Sequence, residues 1–109
     1  MNKDGVCDLV VLVYTKDSEG YEVVTEQKKQ VFCRWEDGVS QSEFYRANKA
    51  DMRASAQIEV FREDLREAWP LGTPGERRFV DLNGIRYKVI RDFPQTLDTQ
   101  TVILEEMER

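Results

Sequence analysis

The stretch Phe79-Val80-Asp81-Leu82-Asn83-Gly84-Ile85-Arg86-Tyr87-Lys88-Val89-Ile90 reads as two strands joined by a two-residue turn. Asn and Gly tolerate the two positive φ angles of a type I′ turn, whose twist suits an antiparallel hairpin. In the second strand Ile85, Tyr87 and Val89 point one way, and Arg86 and Lys88 the other. Ile90 breaks that alternation, which predicts a bulge or a strand end. A hairpin with one apolar face needs further strands to cover it, so the neighbouring segments decide the fold.

Downstream, Phe93-Pro94-Gln95-Thr96 bends the chain, and Thr99 to Glu105 (TQTVILE) reads as a last strand. Upstream, Pro70 to Gly75 combines two prolines with two glycines and cannot be regular structure. Glu63 to Trp69 fits either a helical turn or a loop. Ala56 to Arg62 alternates, with Ala56, Ile58 and Val60 set against Gln57, Glu59 and Phe61. Further back, Val31, Cys33 and Trp35 alternate with Phe32, Arg34 and Glu36. Phe32 on the second face implies that both faces of that strand are partly covered. Tyr21 to Gln30 is more polar and leads into it. Asp8 to Tyr14 (DLVVLVY) is a β-branched run, closed by the turn-like Lys16-Asp17-Ser18-Glu19-Gly20.

Between the strands lies a different pattern. Asp37-Gly38 breaks the strand, and Ser40 with Glu43 has the spacing of a capping box. That spacing predicts a short helix over Ser42 to Asp51, with Phe44, Ala47 and Asn48 on one side and Tyr45 and Lys49 beside them. Phe44 is expected to pack on its own barrel. Ser40 and Glu43 are explained by helix capping alone. Five or six strands, one inserted helix and no βαβ alternation predict a mainly β fold: a small antiparallel β-barrel or sandwich with one short α-helix, as a single domain over 1–109.

The composition excludes more than it selects. The chain has 109 residues, 16 Lys+Arg against 21 Asp+Glu, a net charge of −5, 34% charged residues and only 40% hydrophobic ones. A core this thin gains from burial against neighbours, and Phe32, Phe61 and Trp69 fall off the main buried faces. The absence of histidine removes Ser-His-Asp and Cys-His nucleophile pairs and His-based metal sites. No phosphate-cradling glycine motif occurs. The carboxylates read as a solvated surface, so no enzymatic activity, cofactor or metal is expected. The negative balance argues against gripping nucleic acid or an anionic membrane. Cys7 and Cys33 read as small hydrophobes in strands, which fits a reducing cytoplasm, and no secretion signal or membrane span is expected.

The order of these features resembles the tailed-bacteriophage head–tail adaptor or head-closure (stopper) proteins. The matching stretches are VFCRWEDGVSQSEFYRANKADM at 31–52, AQIEVFRED at 56–64, LNGIRYKVIRDF at 82–93 and TVILEEM at 101–107. The resemblance rests most on Ser42-Glu43-Phe44-Tyr45 after a strand, and on Gly84, Tyr87, Val89 and Arg91 in a Gly-x-x-Tyr-x-Val-x-Arg pattern. It implies a virion protein of the phage neck, often prophage-encoded, which forms a homo-oligomeric ring beneath the portal and adaptor. Such a ring helps retain packaged DNA, offers the tail its attachment surface, and lets double-stranded DNA pass without sequence-specific binding. Assembly would take place in the bacterial host cytoplasm.

The same resemblance sends the helix or loop insertion, here about 40–55, toward the channel. Glu43, Tyr45, Arg46, Lys49 and Met52 are then the channel or interface candidates. Arg86, Lys88 and Arg91 form a basic stripe and are secondary interface candidates, although a solvated strand face is the commoner outcome for such a stripe. Two alternatives remain at this level. One is a tail-completion or terminator protein, which shares small β folds and ring assembly. The other is an OB- or SH3-like β-barrel binding module, against which Tyr87 counts by pointing away from Arg86 and Lys88.

Overall fold

The structure, a computed structural model, describes residues 3–37 and 56–107. It contains six strands: β1 Lys3–Lys16, β2 Glu22–Asp37, β3 Ala56–Phe61, β4 Arg78–Leu82, β5 Ile85–Pro94 and β6 Thr99–Glu106. They close into a barrel in the order β1-β2-β3-β6-β5-β4, every pair antiparallel. The expected choice of barrel or sandwich thus resolves to a barrel. Closure comes from β1 meeting β4 at Asp8–Val11, a contact between chain segments about seventy residues apart.

The Asn83-Gly84 hairpin forms as expected. Asn83 has φ 54° and Gly84 φ 80°, and Leu82 pairs with Ile85 across the turn. Ile85, Tyr87 and Val89 face the interior, against Val80, Leu82 and Leu104. The irregularity at Ile90 is a register shift on β6, where Val89 opposes Leu104 and Arg91 opposes Ile103. This bulge re-phases the strand. Strict alternation would send Arg91 inward and Asp92 out, whereas the bulge turns Asp92 to the interior phase and leaves Arg91 outside with Arg86 and Lys88.

One short α-helix, α1 (Arg62–Ala68), lies among the described residues, between β3 and β4. The helix expected over 42–51 lies outside them. The end of α1 corrects one expectation. Trp69 is fully buried with Leu65, and its Nε1–H donates to the Val10 carbonyl at 2.9 Å. An aromatic outside the strand alternation looks peripheral in one dimension, but α1 swings it under the barrel, where it plugs one end. Phe32 is a second correction: at 74% exposed, it shows that the outer face of β2 is uncovered there. Phe61 is exposed as its phase requires.

β1 and β2 run longer than the sequence patterns suggest. β4 covers β1 only over Asp8–Val11, and β3 covers β2 only over Cys33–Asp37. Leu12–Lys16 and Glu22–Glu26 therefore continue as a two-stranded arm of about 17 Å. Its tip is fixed by Asp17, whose carboxylate accepts from the backbone N–H groups of Glu19 and Tyr21 at 2.9 Å each, with Gly20 at φ 87°.

Candidate functional site

The outward phase of the β1–β2 hairpin carries Val6, Asp8, Val10, Leu12 and Tyr14 opposite Phe32, Gln30, Lys28, Glu26 and Val24. Its middle is roofed by charge. Arg86 of β5 donates through Nε to Asp81 at 2.7 Å and through both terminal nitrogens to Glu26 of β2, while Lys28 meets Asp81 at 3.1 Å. This lattice crosses four neighbouring strands and lies over Phe79, and Val10 within it is fully buried despite its outward phase. The Arg86 guanidinium holds the Asp81 and Glu26 carboxyls below their usual range, and the two carboxylates push Arg86 higher still. A cation so held has its donors committed to its own barrel.

Below that roof the surface changes character. Val6 and Phe32 are direct cross-strand partners, both exposed, and the β2–β3 ladder ends one step short of them at Cys33 and Val60. The next pair would be Phe32 with Phe61, but Phe61 is the last residue of β3 and the chain turns there into α1. The strands splay, leaving an open groove of about 540 Å³ floored by Cys33 and Val60 and walled by Val6, Phe32 and Phe61. Asp4 pairs with Arg34 at 3.2 Å on its rim, and Glu59 accepts from the Thr99 hydroxyl at 2.6 Å. Phe61 also borders a second hollow that contains Leu97, 91% exposed.

Next to this groove, the same end of the barrel holds a polar chain. Arg78, on the inward phase of β4, stacks 5.6 Å over Trp69 and reaches Asp92 at 3.5 Å, with both side chains about four-fifths buried. Gln100 donates to Asp92 at 2.8 Å and accepts from Arg62 Nε at 3.0 Å. Arg62 then donates to the carbonyls of Thr96, Leu97 and Thr99 at 2.7–2.9 Å, so one guanidinium ties the β5–β6 turn to the start of α1. These bonds pair the buried polar groups of the chain with one another, except for Arg78 Nε, which is buried without a hydrogen-bond partner.

Of the residues singled out in the sequence, Glu43, Tyr45, Arg46, Lys49 and Met52 lie outside the described residues. Arg86, Lys88 and Arg91 do share the outer face of β5, but not as free cations. Arg86 is locked as above, Lys88 lies 3.5 Å from Glu105, and Arg91 stacks 5.0 Å over Phe93. Cys7 and Cys33 are free, buried and inward-facing, and the Cys33 hydrogen bond together with burial raises the Cys7 thiol well above the usual range. Among the described residues, no group of three or more metal-ligating side chains occurs and no helix is long and apolar enough to cross a membrane. The groove went unread in the sequence. Its signal was there in Phe32 and Phe61, the two aromatics standing opposite core residues in strict alternation.

The chain matches no protein-family model and no curated protein. Among solved structures it is similar to a chain of the virion of a native gene transfer agent particle, with a TM-score of 0.53, 16% identity and 94% of each chain covered. The likeness is one of fold, and it runs from end to end of the barrel.

Proposed function

We propose that this protein is a non-enzymatic structural component of a phage-like virion, acting in the neck as a head–tail connector of the head-closure type. The observation that carries the reading is the end-to-end correspondence with a chain of a virion particle, 94% of both lengths. Three features of the molecule support it. Arg86 on its outer face is neutralised by Glu26 and Asp81, which suits a wall that DNA passes without sticking. The β1–β2 arm leaves Tyr14 and Val24 exposed beyond the barrel, where a neighbouring subunit in a ring can cover them. The net charge of −5 opposes retention of the duplex.

In this reading the subunits close a ring on a portal–adaptor complex, with Glu43, Tyr45, Arg46, Lys49 and Met52 on the channel side, and the tail docks below. The test is deletion of the gene in a particle-producing strain, followed by electron microscopy. DNA-filled heads without tails, joined to tails when the purified protein is added back, are the expected outcome. Heads attached to tails of irregular length would reassign the protein to tail completion. Normal tailed particles would overturn both.

A further inference from the structure

Val6, Phe32, Phe61 and Leu97 form an exposed apolar band, continuous because Phe61 borders both hollows. Isolated apolar side chains on a surface are ordinary, but four large ones in sequence around a groove are characteristic of an interaction site. The band lies beside an open strand edge. Among the described residues, β2 has no strand partner from Glu22 to Phe32 on the side away from β1; α1 touches this stretch through Glu67, which meets Lys29 at 2.7 Å. Every second residue of such an edge presents an N–H and a C=O, which is the template for adding an extended segment.

The charges around the band are unbalanced. Asp4, Glu59, Glu63, Asp64 and Asp98 line it. The cations there are Arg34, spent on Asp4, Arg62, spent on three carbonyls and Gln100, and Arg66. A second copy of this chain is a poor occupant. The exposed apolar pair of its arm, Tyr14 and Val24, is flanked by Asp17, Glu19 and Glu22, against Lys16 and an Arg77 already stacked 4.3 Å over the Tyr14 ring, so acidic groups would predominate on both surfaces.

We propose that the groove and the open edge of β2 receive an extended segment of a different protein, one in which large apolar side chains alternate with Lys or Arg. The segment adds as a strand along β2 at Phe32. It places alternate side chains on Val6, Phe32 and Phe61 and sets its cations toward Glu59 and Asp98. The surface argument does not depend on the neck role.

The test is titration of the isotope-labelled full chain, followed by amide NMR, with three synthetic nine-residue peptides. One alternates Lys with Phe and Val, the second has Glu for every Lys, and the third keeps the basic sequence with N-methylated alternate peptide bonds. The basic peptide is expected to shift amides along 22–32 and at Phe61. The acidic and N-methylated forms should bind about tenfold or more weakly. Phe32→Ser and Phe61→Ser, both at exposed positions, should keep the folded spectrum and weaken the basic peptide by a similar factor. Equal binding of all three peptides, or undiminished binding to Phe32→Ser, would overturn the proposal. So would concentration-dependent self-association that Phe32→Ser abolishes, which would make the occupant a second copy.

Discussion

At Gly84 a Cβ would meet nothing within 4 Å, yet φ is +80°, so the requirement there is conformational and not steric. Gly84→Ala should cost about 1–2 kcal/mol in denaturant unfolding, the penalty for an L-residue in the left-handed region. Gly5 differs: its φ is ordinary and its nearest neighbour is the Trp35 side chain at 3.6 Å, so alanine is tolerated there. Trp69 carries a larger effect through volume. Trp69→Ala should lower stability by about 3–5 kcal/mol, measured by the same unfolding, because it empties the barrel end and frees the Val10 carbonyl. Nothing in Glu63 to Trp69 marks that residue as central. Its burial depends on where a seven-residue helix sends it after the strand ends, a three-dimensional fact that alternation along one strand does not encode.

Among the elements, the most legible were those whose signals are local. Asn83-Gly84 specifies a turn by backbone conformation, and Ala56, Ile58 and Val60 specify an inner face by period two, so the order of residues alone announces both. The β1–β4 seam has no such announcement, because strand pairing at long range leaves no local mark. The arm was equally hidden: Thr25 to Gln30 is polar on both phases since neither phase is buried. Arg62 shows a third kind of gap. Its role is to hold carbonyls of a turn more than thirty residues away, and an arginine at a strand end announces nothing of that kind. Arg62→Lys retains the charge but not the planar fork. Amide exchange at residues 96–100 should accelerate about tenfold or more in that variant, with exchange in β1 and β2 unchanged.

Over the whole molecule, the charge lattice links β2, β1, β4 and β5 on the outside while the apolar core links them within. Asp81 and Glu26 are depressed in the folded state, so their contribution to stability is complete above their ordinary values of 3.8 and 4.5 and is lost as pH falls through the lower folded values. Arg86→Met should therefore cost about 1 kcal/mol at pH 6, a figure kept small by the exposure of Glu26. That difference should start to shrink once the pH falls below 4.5 and keep shrinking as the pH passes through the lowered folded values, followed as thermal unfolding at pH 6 and at successively lower pH. A gap independent of pH would place the value of Arg86 in its packing over Phe79 instead.

The bulge at Ile90 also constrains how β5 can change in length. Since Val89 and Arg91 already oppose consecutive residues of β6, removing Ile90 would leave each remaining side chain of the strand on its present face. Adding a residue that no second bulge absorbs would reverse everything beyond it, turning Asp92 out and Arg91 in. Length change in this strand therefore has a direction. Loss of one residue at Ile90 keeps the acid at 92 inside the barrel, whereas a gain keeps it there only if a second bulge takes up the extra residue.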